Sequence, residues 1–151
     1  ADKKEPRTNI GALVEACEKL SMQRLGALIV LERNDSLDFV KNSGDTMDIT
    51  LNAPIIESIF YKNSPLHDGA VIIKGNKIVA TRVILPVSNA KDIPAQYGLR
   101  HKAAIGITEN TDALCLVVSE ERGEISYIKG KNFVSFDSIV MLKEKLKRDL
   151  A

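Results

Sequence analysis

Apolar residues recur along the chain at two different spacings, and each spacing predicts a different kind of element. Repeats of three to four positions are typical of helices with one buried face. Such repeats predict four helices, over residues 10–20, 53–62, 98–110 and 135–150. Thr8 and Asn52 stand just before the first two, where a short polar side chain can cap free backbone N–H groups. Gly98 opens the third helix.

Shorter, largely apolar runs predict strands, and the run over residues 25–33 is typical of a strand that is buried on both faces of a sheet. They cover residues 25–33, 70–74, 77–85, 113–119 and 124–130. Gly75 and Asn76, between two of these runs, form a two-residue hairpin signal. Residues 35–52 and 89–97 are polar and are predicted to be loops, the first with a short strand near residues 48–51.

Helices and strands mixed along one chain predict the α/β class, with a central mixed β-sheet flanked by helices. A length of 151 residues suits one globular domain with a real core. We see no repeat, low-complexity tract or linker. Residues 1–8 are therefore assigned to a polar N-terminal tail and residues 9–151 to a single domain.

The charge balance changes the list of expected partners. Lys and Arg total 21 and Asp and Glu total 20, so no global field attracts nucleic acid or an anionic membrane. No apolar run approaches the ~18 residues of a membrane span, and the chain alone is expected to be soluble. Cys17 and Cys115 stand in apolar patterns and are predicted to be buried, reduced thiols.

Several familiar sites are excluded by their missing motifs. The sequence has no P-loop, no G-x-G-x-x-G, no zinc-type Cys/His spacing and no G-x-S-x-G elbow. With His67 and His101 as the only histidines, a three-histidine metal site is impossible.

Three polar clusters beside apolar runs remain as candidate chemistry. The first is His67-Asp68-Gly69-Ala70, at the start of a predicted strand, where Asp68 could bind a divalent cation. An Asx-turn that leads into the strand explains the same residues without any ligand. Local sequence leaves both interpretations open.

The second cluster is Gly98-Leu99-Arg100-His101-Lys102, at a predicted helix start. Free N–H groups and the helix dipole favour anions there, and Arg100 adds a planar fork for phosphate oxygens. A solvated basic turn, with His101 packed against the sheet, is the plainer alternative. The third cluster, Ser119-Glu120-Glu121, follows a strand and could serve a metal–phosphate complex or simply form a hairpin turn.

Taken together, carboxylates and a basic helix start are the parts that phosphoryl or nucleotidyl transfer requires. The segments "LHDGAVII", "YGLRHKAAIGITENTDAL" and "VVSEERGEIS", after "RLGALIVLER", occur in the order seen in diadenylate cyclase domains. Over about residues 10–130 the chain resembles this family, and most closely the catalytic domain of the membrane-anchored bacterial type.

The resemblance implies an activity and a mechanism. Family members condense two ATP molecules into cyclic di-AMP and two pyrophosphates with Mg²⁺ or Mn²⁺. Two domains meet head to head as a homodimer, and the 3′-hydroxyl of one ATP attacks the α-phosphate of the other. The full-length protein would lie at the cytoplasmic face of the membrane through segments absent from this chain, with room for regulatory protein partners and no role for nucleic acid.

The resemblance also implies roles for individual residues. The motif positions expected to be catalytic are Asp68, Gly69, Ala70, Arg100, His101 and Lys102. Those expected to bind the nucleotide are Leu31, Asp68, Gly69, Ile84, Leu85, Leu99, Arg100, Ser119 and Glu120, with Leu31, Ile84 and Leu85 forming an apolar slot for adenine. The expected metal ligands are Asp68, His67 and Glu120.

Three positions depart from the family pattern. Leu99 stands where relatives often have Thr, Lys102 stands where the family motif has Arg, and a motif position near Ile84 that is often Tyr in relatives lacks an aromatic ring here. The first change removes a hydroxyl, the second a bidentate fork, and the third a ring for base stacking. The departures at Leu99 and Lys102 motivate an alternative, a nucleotide-binding regulatory module of the same fold with weak or no turnover. A metal-dependent phosphohydrolase is a third hypothesis, but no water-activating base stands out.

Overall fold

The computed structural model describes residues 7–87, 93 and 97–151 of the chain. They form one seven-stranded mixed sheet with helices on both faces, which confirms the predicted fold class. In chain order the elements are α1 (Ile10–Met22), β1 (Ala27–Glu32), α2 (Asp38–Lys41), β2 (Asp45–Thr50), α3 (Ala53–Phe60), β3 (Ala70–Lys74), β4 (Lys77–Val83), α4 (Leu99–Asn110), β5 (Leu114–Val118), β6 (Ile125–Lys129), β7 (Asn132–Val134) and α5 (Ile139–Leu150).

The strand order across the sheet is β2-β4-β3-β1-β5-β6-β7. The central strands β1 and β3 are parallel, and every other neighbouring pair is antiparallel. One edge of the sheet therefore collects the starts of β1 and β3 and the ends of β4 and β5. Ala27 pairs with Val118 there, and Ala70 pairs with Val83.

Two apolar layers cover the two faces of the sheet. Helices α1, α3 and α5 pack on one face and α2 and α4 on the other. Because side chains alternate along a strand, β1 supplies both layers. Leu28 and Val30 face α4, whereas Ile29 and Leu31 face α1 and α3. All six residues of β1 are buried, as its apolar run predicts.

Helix caps explain where α1 and α3 begin. Asn52 caps α3 as predicted, since its side-chain oxygen accepts from the N–H of Ile55 at 3.0 Å. The predicted cap of α1 is wrong. Asn9 accepts from the N–H of Ala12 at 3.0 Å, while the Thr8 hydroxyl donates to the carbonyl of Gly75 at 2.6 Å.

Some short elements have no clear apolar pattern, and one helix begins later than its pattern predicts. The single turn α2, most of β2 and the edge strand β7 were not predicted, and α5 begins at Ile139 rather than at residue 135 because Ser138 caps it. The loop predicted over residues 89–97 lies outside the described residues apart from Ile93 and Tyr97.

Both cysteines are free and buried, as predicted. Burial raises the pKa of the Cys17 thiol to about 12, so it stays protonated near neutral pH. Across residues 7–87, 93 and 97–151, we find no helix with the length and apolar character needed to cross a bilayer.

Candidate functional site

A cavity of about 670 Å³ opens at the sheet edge where β1 and β3 begin and β4 and β5 end. Its size is within the ~300–1,000 Å³ of typical ligand pockets. Its lining residues are Leu28, Asp68, Gly69, Val83, Ile84, Leu85, Val87, Tyr97, Gly98, Leu99, Arg100, His101, Ala103, Val118, Ser119, Glu120 and Glu121. All three polar clusters found in the sequence therefore contribute to one cavity.

The N-terminus of α4 forms the cationic side of this cavity. The first intrahelical bond of α4 runs from the N–H of Lys102 to the carbonyl of Gly98. Within the part of the chain that the structure describes, no side chain caps this end. The preceding N–H groups are therefore free to bind an anion. Arg100 adds a full positive charge, and its Nη1 lies 3.4 Å from Oε1 of Glu120.

Asp68 supplies a carboxylate to the same cavity. Its side chain is 85% exposed, and its Oδ1 lies 3.3 Å from Nε2 of His67. The other ring nitrogen of His67, Nδ1, lies 2.8 Å from the carbonyl oxygen of Ser64. A carbonyl only accepts hydrogen bonds, so Nδ1 carries a hydrogen and donates it. The ring thereby holds a fixed position beside Asp68.

The backbone conformation at position 69 and the close approach of β4 both require glycine there. Its φ is +86°, a conformation that other residues rarely adopt. A Cβ at this position would also lie 2.8 Å from the carbonyl carbon of Arg82 and 2.9 Å from the carbonyl oxygen of Val83. The absence of a side chain therefore lets β4 pass close to the turn that carries Asp68.

An irregular end of β4 shapes the apolar wall. The pairing of β3 with β4 shifts between Ala70 and Ile72, and Arg82 has a φ of 54°. Such a bulge bends the strand and redirects the residues that follow. Arg82 Nε donates to Oδ2 of Asp45 at 2.6 Å, which ties the bulge to β2. Ile84 and Leu85 follow it and line the cavity.

His101 is buried between the cavity and the sheet. Its ring lies 4.8 Å from that of Tyr97 and stacks on Phe133, and its Nε2 is 3.5 Å from the hydroxyl of Ser126. Burial lowers the pKa of His101 and is the largest effect, the charge of Glu124 opposes it, and the charge of Arg100 adds a smaller lowering. His101 is therefore neutral at pH 7, so this cluster carries two cations rather than three.

Four predicted site residues do not line the cavity, namely Leu31, His67, Ala70 and Lys102. Leu31 is 1% exposed and packs in the core layer on the other face of the sheet. Because side chains alternate along a strand, Leu28 is the residue of β1 that lines the cavity. Ala70 is fully buried in the core. Lys102 lies about 200° around α4 from Arg100, at ~100° per residue, and so points away.

The three expected metal ligands do not form a protein cage. Among the described residues, no group of three His, Cys, Asp or Glu side chains could hold an ion. Both ring nitrogens of His67 face oxygen atoms of the protein, those of Ser64 and Asp68. Asp68 and Glu120 remain as separate carboxylates on the cavity wall.

Further lining residues were missed in the sequence. Leu28 could have been found by alternation along β1 once the cavity face was known. Tyr97 directly precedes a predicted motif, whereas Val83 and Val118 have no local signal beyond their apolar character.

Comparison with known proteins supplies the family. The model of the DAC family, described as "DisA bacterial checkpoint controller nucleotide-binding", matches residues 14–133. The chain belongs to this family. The DAC region thus includes all three clusters that line the cavity, and the resemblance seen in the sequence is confirmed.

Curated relatives share the DAC region at considerable identity. The diadenylate cyclase CdaS of Bacillus thuringiensis is 48% identical over 115 residues, which are 76% of this chain and 57% of the relative. A diadenylate cyclase of Listeria monocytogenes is 42% identical over 122 residues, 78% of this chain and 45% of the relative. The chain spans about half the length of these relatives.

Solved structures share the DAC fold. A double cysteine variant of DacA from Staphylococcus aureus superposes with a TM-score of 0.89 at 36% identity, covering 93% of this chain and 94% of that one. A hypothetical membrane spanning protein from Bacillus cereus reaches 0.81 at 43% identity, covering 85% of this chain and 65% of that one.

Proposed function

We propose that the chain is a diadenylate cyclase catalytic domain, which condenses two ATP molecules into cyclic di-AMP and two pyrophosphates. The observation that carries this proposal is the meeting of Asp68, Arg100 and the Ser119-Glu120 pair on one nucleotide-sized cavity. These residues are far apart in the sequence, and each has an ordinary explanation when taken alone. The names of the curated relatives support the same reaction.

The cavity offers different surroundings to the two ends of ATP. The free N–H groups at the start of α4 and the guanidinium of Arg100 would bind phosphate oxygens. Ile84 and Leu85, with Leu28 in place of Leu31, would form the apolar slot for adenine. Ser119 would lie at the phosphate end, and the Arg122 N–H donates to its hydroxyl at 3.3 Å.

A divalent cation, Mg²⁺ or Mn²⁺, fits the donors present. Mg²⁺ at phosphate-transfer sites is commonly held by one or two carboxylates, with substrate phosphates and water completing the shell. Asp68 would be the main ligand and Glu120 the second, and no three-residue cage is needed. When bound, such an ion neutralises phosphate charge and makes a coordinated hydroxyl easier to deprotonate.

The chemistry requires two nucleotides held in opposite directions. In each half-reaction a bond forms between a 3′-oxygen and an α-phosphorus, the bond to the β-phosphate oxygen breaks, and pyrophosphate leaves. The proton of the 3′-hydroxyl would pass to the Asp68 carboxylate, which lies on the cavity wall. Two such domains, head to head in a transient homodimer, would present one ATP each.

The location of the full-length protein is part of the same proposal. We place the domain at the cytoplasmic face of the membrane, held there by a segment outside this chain. The name of the Bacillus cereus neighbour, a membrane spanning protein, supports this arrangement. An anchor would raise the local concentration of domains and favour their pairing. Regulatory protein partners would act on that pairing.

The direct test is incubation of the protein with ATP and either Mn²⁺ or Mg²⁺, with mass spectrometry to detect cyclic di-AMP and pyrophosphate in a 1:2 ratio. Absence of product at high protein concentration with both metals would reject catalysis. ATP binding by calorimetry in that case would support the regulatory nucleotide-binding module. Formation of ADP or AMP alone would support the phosphohydrolase.

A further inference from the structure

Gly26 lies directly before β1 and against the guanidinium of Arg100. The β1–β5 register pairs Ala27 with Val118, so Gly26 lies next to the chain end that carries Ser119. A Cβ built on Gly26 would lie 2.5 Å from Nη1 and 2.8 Å from Nη2 of Arg100, and closer still to Cζ. Carbon atoms in ordinary contact are ~3.5–4.0 Å apart. No side chain fits at this position while Arg100 keeps its place.

The three distances also give the orientation of the guanidinium. Cζ is the nearest atom and the two terminal nitrogens are slightly farther away, so the added carbon would meet the flat face of the group rather than its edge. The face of Arg100 thus rests on Gly26. The donating edge is left for oxygen atoms, and Nη1 is 3.4 Å from Oε1 of Glu120.

Backbone conformation does not explain this glycine. Gly69 and Gly123 have positive φ values, but Gly26 is not among the residues in that region. Alanine could therefore adopt the backbone of Gly26 without strain. The close contact is instead with the far end of a flexible side chain, which could swing away. The expected result of adding a methyl group is a displaced Arg100 in an intact fold.

We propose that Gly26 is a positioning residue for Arg100, which provides a flat seat that holds the guanidinium fork toward the phosphates of the nucleotide. This inference rests on the proposed function for its substrate, ATP, and extends it to a residue with no chemistry of its own. Gly26 does not line the cavity, so it acts only through Arg100.

The test is a double-mutant cycle of Gly26→Ala and Arg100→Ala, with ATP affinity by calorimetry and cyclic di-AMP formation as readouts. Gly26→Ala should weaken ATP binding about tenfold, the size expected for one misplaced charged hydrogen-bonding group, with an unchanged melting temperature. In the Arg100→Ala background the same change should have almost no effect. Gly11→Ala, at an exposed position of α1, is the matched control and should behave as wild type.

A crystal structure of the Gly26→Ala variant separates this inference from the proposed function. Displacement of the Arg100 guanidinium by about 1 Å or more supports the positioning role of Gly26 even if the protein makes no cyclic di-AMP. An unmoved guanidinium overturns it, whatever the activity. Additive losses in the cycle, or a large drop in melting temperature with Arg100 in place, would overturn it as well.

Discussion

Asp68 and His101 face the same cavity in opposite surroundings. The carboxylate of Asp68 is largely exposed, with His67 beside it. The imidazole of His101 is 7% exposed and packed among rings. The exposed group can exchange water for a ligand at low cost, whereas charging the buried one is expensive. We therefore expect ligand chemistry at Asp68 and a packing role at His101.

Asp68→Asn should remove turnover and leave ATP binding measurable. The amide keeps the shape but loses the charge that would hold a cation and assist deprotonation of the 3′-hydroxyl. A loss of roughly 10²–10⁴-fold in cyclic di-AMP formation is expected, as for other positioned proton acceptors. Mass spectrometry measures the rate, and calorimetry with ATP measures the binding.

Asp48→Asn is the matched control for Asp68→Asn. Asp48 lies on the distant strand β2, and its side chain is 84% exposed and pairs with Lys77 of β4. This variant should retain wild-type rates. Normal turnover by Asp68→Asn would show that the role proposed for this carboxylate is wrong.

His101 should titrate below the ordinary histidine pKa of ~6.5. Burial is the main cause, and protonation would place a second charge beside Arg100. Because the pKa is lowered in the folded state, stability is full above about pH 6.5 and declines as the pH falls from there toward the folded pKa. NMR titration of a His67→Gln variant, in which His101 is the single remaining histidine, measures the pKa of His101 directly. A midpoint at or above 6.5 would contradict the buried position.

Elements with a strong apolar pattern could be predicted from the sequence. Elements that depend on pairing with a neighbouring strand could not. β1 and β5 are continuous buried runs, and Asn52 is a good cap in any setting. β2 has alternating half-exposed residues, and it pairs with β4 through a bulge. β7 is three residues long and exists because β6 offers an edge.

A buried carboxylate holds the end of α5 against the sheet. Oδ2 of Asp149 accepts from the hydroxyl of Tyr127 at 2.6 Å, and Oδ1 lies 2.9 Å from Nζ of Lys129. Arg33 donates to the Asp149 carbonyl at 2.9 Å. Helix α5 is thereby fixed to β6 and to the end of β1 at the side of the molecule away from the cavity.

Asp149→Asn should destabilise the fold by about 1–3 kcal/mol at pH 7, because charged hydrogen bonds in a buried setting are lost. Burial raises the pKa of Asp149, but hydrogen bonds from Lys129, Tyr127 and Arg148 outweigh it and lower the pKa overall. The stabilisation is therefore present above the ordinary carboxyl pKa of ~3.9 and lost as the pH falls through the lowered value.

Urea unfolding of both proteins between pH 7 and pH 3 measures this effect. The difference between Asp149→Asn and wild type should shrink at the acid end. Asp137→Asn, at an exposed position before α5, is the control and should change stability by less than about 0.5 kcal/mol. A constant difference across the pH range would show that the charge of Asp149 is not what anchors the helix.

At the scale of the whole molecule, the site is a property of the sheet edge rather than of any one motif. The sequence alone could name Asp68, Arg100 and Ser119 as candidates, because each stands at the boundary of a predicted element. It could not exclude Leu31 or Lys102, since that depends on which face of β1 and of α4 meets the cavity. Which face of β1 and which face of α4 line the cavity can be determined only once the order of the strands in the sheet is known.

The proposed head-to-head pairing predicts a steep dependence of activity on protein concentration. If one domain holds one ATP, the competent species is a dimer, and its amount rises with the square of the concentration while monomers predominate. A logarithmic plot of total rate against protein concentration at saturating ATP and Mn²⁺ should have a slope near two, falling to one when dimers dominate. Serum albumin is added so that the total protein concentration stays constant, which controls for loss of the enzyme on vessel surfaces. A slope of one over a hundredfold range, with monomers confirmed by light scattering, would contradict the pairing, because one domain would then complete both bonds.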